Sequence, residues 1–497
     1  MLTMPKHVAI YVGIIAFFSL IQLVMGANVF VLAAIDLVAL TGVIPLRHRT
    51  FDPIDTLLFS LSLYYGTFSL ILKTVVGQPV QRNLLVATTS LSLLVIGFGL
   101  ITSAYFLVST LLTRHYPGTR LRRWNVLEQT FSDQQFLERF TVPVMLFSLA
   151  LCVVNAMVSA TASDLSSGAG DSGFGGLGNF VPIIQLAFAM QLSLVLRRGA
   201  RKDWFWISTA TAVLFVLAIV NNQKATFLIV VATILINGIA YRVKVRPRVI
   251  AAVVVVAAIS FLYLSPAIYI VRGMQVSKLE RIGLTFSVLA EADFNPIRLY
   301  ELQDKITNPG GAHSHAADVD YLSPHDYHTD RFTLLMPVDN MAREGTRKPI
   351  GVGTYLSLLI KTILPSAIIG QHSDTSLGEL IAWRFGITQT GNHARLVLGI
   401  LGTAYGTGGP FGLLILAPLF CLILFAILKL SCNGSIWQNP WAIFVASRVF
   451  FYGEADISTL AEVIRGFLPI VLFAYGLTLL HKRKRPSTSP STMPLAT

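Results

Sequence analysis

The chain has 497 residues, of which 54% are hydrophobic and 13% charged, with a mean hydropathy of +0.66 and a formal net charge of +13. An ordinary soluble domain carries about 25% charged residues, so this chain cannot cover its surface with polar groups and must meet lipid over part of it. The basic excess falls in short clusters between apolar runs, as the positive-inside rule describes, which excludes nucleic acid as the partner.

A transmembrane helix needs about 20 mostly apolar residues. Twelve runs qualify, near 8–25, 27–45, 54–72, 84–112, 140–160, 180–196, 205–220, 225–241, 249–271, 411–430, 441–453 and 466–480. The predicted fold is therefore an all-α polytopic membrane protein of about 12 transmembrane helices. Spans one to nine occupy 1–271 and a large extracytoplasmic loop occupies 272–410, between spans 9 and 10. Spans ten to twelve follow at 411–480, then a basic, disordered cytoplasmic tail at 481–497. The first run reads as a retained helix, because no small-residue cleavage site precedes Asn28.

Placing the N-terminus inside puts 1–7, 46–53, 113–139, 197–204, 242–248, 429–440 and the tail on the inner side. These segments hold 21 of the 38 Lys and Arg residues. The outer segment 272–410 holds twelve more, which is allowed because long translocated loops escape the charge rule. Cys152, Cys421 and Cys432 lie in or beside apolar runs, with no spacing suited to metal.

Within the outer segment, "GVGTYLSLLIKTILPSAIIG" at 351–370 is broken by Lys361 and Pro365. It reads as an amphipathic or re-entrant helix on the membrane surface. The histidines of "GGAHSHAADVDYLSPHDYHTD" (310–330) fit no metal template. That stretch reads as a solvated loop touching sugar, with Tyr321 and Tyr327 as stacking faces. Residues 396–430 in one helix would measure about 52 Å, too long for one span, so "GTGGP" at 406–410 is where the helix must break. The expectation is a short helix over 393–405 and a span starting near Phe411.

Asn392 is suited to cap that short helix, which puts His393 and Arg395 in its first turn. Backbone amides and Arg395, with His393 as a further member, would then form an anion site at the membrane edge, Arg being shaped to grip phosphate with two parallel hydrogen bonds. The plainer alternative is that Arg395 snorkels toward headgroups. Lys224 opens one span, Arg272 closes another, and Arg448 and Arg465 flank "FFYGEADISTLAE". The last two are either functional groups or partners of Glu454, Asp456 or Glu462 in salt bridges. The pattern Arg, ten residues, Gly occurs at Arg272–Gly283 and again at Arg395–Gly406.

With its large late outer loop and "TGNHARLVLGILGTAYGTGGPFGLLIL", the chain resembles the Wzy-type O-antigen polymerases of bacterial inner membranes. The resemblance covers roughly 220–430. It rests on Gly391-Asn392, on Gly402 to Tyr405, on Gly409 to Gly412, and on Arg272 and Arg395 with their spaced glycines. It implies a GT-C-like, metal-independent glycosyltransferase with no cofactor. Its substrate would be an undecaprenyl-diphosphate-linked oligosaccharide, passed to another lipid-linked repeat unit at the periplasmic face. A flippase and a chain-length regulator would be its partners in the bilayer. Arg272 and Arg395 are the expected catalytic cations, with His393 the expected general base and Glu379 or Asp374 its rivals. Lys224, Arg281, Arg384, Asn392, Tyr405 and Arg465 are candidates for substrate binding. An O-antigen ligase, passing finished polymer to lipid A-core, is the nearest alternative. A lipid-linked oligosaccharide flippase is the alternative of another class.

Overall fold

The computed structural model describes residues 6–48, 51–115, 126–158, 180, 182–198, 201–220, 224–241, 260–272, 278–307, 321–322, 332–344, 349–364, 376–387, 397–432 and 439–483. Among them there is no strand. The helices run in chain order as α1 (Lys6–Val24), α2 (Val29–Leu46), α3 (Pro53–Val75), α4 (Ala87–His115), α5 (Val126–Ser132), α6 (Gln134–Val158), α7 (Ile183–Arg198), α8 (Arg201–Val220), α9 (Lys224–Ala240) and α10 (Ser265–Arg272). They continue as α11 (Lys278–Glu291), α12 (Pro296–Thr307), α13 (Leu335–Arg343), α14 (Val352–Ile363), α15 (Leu377–Phe385), α16 (Gly399–Phe411), α17 (Ala417–Ser431), α18 (Pro440–Phe450) and α19 (Thr459–Arg483).

Seven stretches among the described residues are long and apolar enough to cross a membrane: α1, α2, α3, α4 up to Leu111, α6 up to Asn155, Gly399–Ser431 and α19. The chain is thus a polytopic membrane protein. The twelve-span expectation counts runs that fold as shorter helices, α7 and α18 above all; residues 249–259 of the ninth run lie outside the described residues.

Polar contacts sort into two ends. At one, Lys429 Nζ donates to Asp52 (2.6 Å), Arg197 donates to the Ser132 carbonyl (3.2 Å), His481 meets Asp133 (3.2 Å) and Arg198 pairs with Glu138. Every one of these pairs contains a residue that the charge rule assigns to one side. At the opposite end Gln22 bonds Thr74 (2.8 Å), Lys73 bonds the Arg82 carbonyl (2.8 Å) and Tyr321 donates to the Val80 carbonyl (2.7 Å).

The glycine-rich stretch breaks where the sequence demands, at Gly409. Its φ of 65° and ψ of −149° lie in a region open to glycine almost alone, and Pro410 follows. Leu401 and Leu413 both approach Gly97 of α4, and the Gly412 α-carbon faces the Ala404 carbonyl. The chain therefore rises along Gly399–Gly408 and folds back into α17. Gly406 packs on Ile381 and does not end the helix. The helix begins at Gly399 rather than 393; residues 391–396 lie outside the described residues.

α13 also enters the bundle from the opposite end. The Leu334 amide donates to the Tyr64 carbonyl (3.2 Å) near the midpoint of α3, whereas Asp339 reaches Leu85 and Val86 at the start of α4. α18 comes from the basic end. Its 11 residues span about 17 Å at 1.5 Å each, roughly half the hydrocarbon core. It stops where Ser60 donates to the Phe450 carbonyl. Three half-helices thus meet beside the π turn Leu63–Thr67 of α3.

α14 is a helix of 12 residues within the stretch expected to lie on the membrane surface. Tyr355 is its buried residue, Val352, Leu356 and Ile360 are exposed, and it lies along the first turns of α19.

Candidate functional site

The junction at the centre of the bundle is built from backbone ends that lack helical partners. The first four amides and last four carbonyls of a helix must find other groups, and here half-helices supply them to one another. The Tyr65 hydroxyl accepts from the Leu401 amide (3.1 Å), in the first turn of α16. The Thr403 hydroxyl accepts from the Ile457 amide (3.1 Å), and the Ile457 carbonyl accepts from the Tyr355 hydroxyl (3.0 Å). The linker 451–458 between α18 and α19 is therefore pinned to both α16 and α14. It carries Glu454 and Asp456.

Burial raises the Asp456 carboxyl above the usual carboxylate range, opposed by hydrogen bonds from Ser458. Burial and then the Asp456 charge push the Tyr355 phenol up to about 12. A carboxyl held this way keeps its proton to a higher pH than a solvated one.

Among the described residues Arg448 and Arg465 form no ion pair. Arg448 Nη1 donates to Gln185 Oε1 (3.0 Å) and Arg465 Nη1 to the Thr362 carbonyl (3.4 Å). Of the salt-bridge partners considered for them, Glu454 and Asp456 pair with neither arginine, and the Glu462 side chain lies outside the described residues.

The sequence candidates divide into three groups. Asn392, His393 and Arg395 lie outside the described residues. Lys224 opens α9, Arg272 closes α10 and Arg281 lies in α11, with side chains outside the described set. The remaining four are placed. Glu379 closes a capping box at the start of α15, its carboxylate accepting from the Ser376 amide (2.7 Å) while the Ser376 hydroxyl accepts from the Glu379 amide (3.2 Å). That gives Glu379 a helix-capping duty. Tyr405 is buried on α16. Exposed Arg384 joins Pro349, Ile350, Thr354, Leu380 and Trp383 in lining an open cleft of about 580 Å³ beside the Gly409 turn. Glu379, Arg384 and Tyr405 thus sit on two helices that touch at Ile381 and Gly406, whereas Arg465 lies beside α14.

Tyr321 corrects the sugar-stacking expectation. It is fully buried, its hydroxyl bonds the Val80 carbonyl, and Lys73 sits 4.2 Å from its ring centre. It anchors the large loop to the bundle instead; Tyr327 lies outside the described residues. Among the described residues no three His, Cys, Asp or Glu side chains group as metal ligands.

Sequence reading missed a second cluster, at the basic end. Asp55 accepts from His48 (3.1 Å) and from the Tyr105 hydroxyl, while Asp52 pairs with Lys429. The only local signal is the Asp-Pro-x-Asp capping box at the start of α3. No family model, curated protein or solved structure matches this chain.

Proposed function

We propose that the chain is a polysaccharide polymerase. It would transfer an oligosaccharide from undecaprenyl diphosphate onto another lipid-linked repeat unit, at the extracytoplasmic face of a bacterial inner membrane. One observation carries the reading. The stretch that resembles the Wzy-type polymerases, 391–412, leads into the re-entrant hairpin whose first turn meets Tyr65 near the midpoint of α3. A loop without a role in chemistry has little reason to pass through the centre of a bundle, where each backbone group must find a partner.

In this reading the bond from the anomeric carbon to the diphosphate breaks as an acceptor hydroxyl attacks, and negative charge develops on the departing lipid diphosphate. Arg395, four residues upstream of Gly399, and Arg272, at the end of α10, stabilise that charge electrostatically, with no metal. His393 takes the proton of the attacking hydroxyl. Glu379 is less suited to that task, because its carboxylate already caps α15. Lys224, Arg281, Arg384, Asn392, Tyr405 and Arg465 are proposed for substrate binding, Arg384 through the open cleft beside the hairpin.

The test is genetic. A strain lacking the gene should accumulate single lipid-linked repeat units and lose the polymer ladder, with both restored by the full-length chain. Accumulation of finished lipid-linked polymer would instead identify a ligase. Repeat units trapped on the cytoplasmic leaflet would identify a flippase.

A further inference from the structure

Arg448 lies in the last turn of α18, which ends near the middle of the bundle, and it is half-buried. The side chain presents five donors and a charge that no ordinary pH removes. Among the described residues its one polar contact is neutral, the Gln185 amide oxygen at 3.0 Å. Gln185 is itself buried, at 8% exposure, in the first turn of α7. On the same stripe of α18, Phe444 one turn back stacks on Phe467 of α19 and Trp441 two turns back packs against the same ring at a tilt.

The two nearby helix ends act in opposite senses. The carbonyl end of α18 favours a cation and the amide end of α7 disfavours one, so neither settles the charge. Ionised groups inside membrane bundles are costly and normally paired, and Arg448 has no carboxylate within pairing distance among the described residues. An arginine inside a membrane bundle with one of five donors paired among the described residues is arranged to receive an oxyanion. The guanidinium fork matches phosphate by two parallel hydrogen bonds. A phosphate carried on a hydrocarbon chain would reach such a site between helices with its tail in lipid.

We infer that Arg448, oriented by Gln185, forms a phosphate-binding subsite inside the bundle for the head of an amphipathic lipid. The source is either a lipid-linked diphosphate or the headgroup of a bilayer phospholipid, and both share this chemistry. The inference stands apart from the polymerase reading, because binding needs no turnover.

The experiment uses the full-length chain in a phosphate-free maltoside detergent. Farnesyl diphosphate and farnesol are titrated against intrinsic tryptophan fluorescence and the thermal midpoint, with phosphatidylglycerol as competitor. Farnesyl diphosphate should bind saturably and farnesol should not. Arg448→Gln should weaken binding about tenfold to a hundredfold, Arg448→Lys should recover part of it, and Gln185→Leu should weaken it without removing the charge. Competition by equimolar phosphatidylglycerol would identify the occupant as a bilayer headgroup, and its absence a lipid-linked diphosphate. Equal affinity in the wild type and Arg448→Gln would overturn the inference. Should that variant not fold, unchanged affinity in both Arg448→Lys and Gln185→Leu would do so. A deletion strain without accumulated repeat units would remove the polymerase reading and leave this result standing.

Discussion

Asp339 and Ser90 stand 249 positions apart in the chain and share a 2.7 Å hydrogen bond. The same carboxylate accepts from the amides of Leu85 (2.5 Å) and Val86 (3.2 Å). The re-entrant helix α13 thus supplies, from a distant part of the sequence, the cap that α4 does not carry at its own start. Asp339 is completely buried, so its charge is compensated entirely by these donors.

Replacing Asp339 by Ala should remove the cap and leave buried amides unpaired. The expected cost is about 2–3 kcal/mol, combining a lost cap with an unsatisfied buried donor. Thermal unfolding in detergent should show a lowered midpoint. Asp339→Asn, which keeps one acceptor oxygen, should lose less. Equal midpoints for Ala and wild type would mean that the cap contributes nothing.

The turn at Gly409 offers a second test. Its backbone angles exclude a Cβ at modest cost, and forcing another residue there costs on the order of 1–3 kcal/mol. Gly408, one position earlier, has open space around its α-carbon. Gly409→Ala should lower the yield of folded protein and open the hairpin to protease, while Gly408→Ala should resemble wild type. Two equally tolerated substitutions would argue against the sharp turn.

That break was legible in the sequence because a helix over 396–430 is too long for one span and "GTGGP" marks the only stopping place. The entry of α13 into the bundle was not. "LMPVDNMAR" contains Pro337, Asp339, Asn340 and Arg343 and has the hydropathy of a loop. It can be buried because Asp339 finds its donors on α4, a pairing that local composition does not encode. α18 fails in the other direction. The run 441–453 is apolar enough to count as a span, but hydropathy measures burial and not depth, and only the contact of Ser60 with Phe450 shows that the helix stops half way. Tyr321 was misread for a similar reason. A tyrosine among histidines and acids resembles a sugar platform until Lys73 and Val80 are found beside it. The basic-end cluster was hidden because Asp52 and Lys429 lie 377 positions apart.

The basic-end cluster should make stability depend on pH. The hydrogen bond to Asp55 is the main cause of a raised His48 pKa. A raised pKa means that this contribution is complete below the unfolded histidine value, about 6.5, and is lost as pH climbs through the higher folded value. Burial, and then the charge of Asp55, raise Asp52 to about 6 against the pull of Lys429. The sign is the same: the folded state favours protonated Asp52, so its contribution fades as pH rises from about 4 through 6. The thermal midpoint should therefore fall in two stages as pH rises from 4 to 8. His48→Gln should flatten the upper stage and Asp52→Asn the lower. A wild-type midpoint that rises across this range would contradict both assignments.

The last prediction concerns Arg395. If Arg395 and Arg272 stabilise the departing diphosphate, Arg395→Ala should abolish long polymer while the protein still inserts and accumulates, and single lipid-linked repeats should build up. Loss of a charge-assisted contact costs about 1.5–3 kcal/mol, or roughly ten- to a hundredfold in rate if it is felt only in the transition state. Arg395→Lys should recover part of the activity, since lysine keeps the charge but loses the two-pronged grip. An arginine that only snorkels to headgroups predicts the reverse pattern: Lys nearly silent, and Ala lowering protein level instead of turnover. Quantifying ladder length against immunoblotted protein separates the two. A normal ladder from Arg395→Ala at matched expression would remove Arg395 from the reaction.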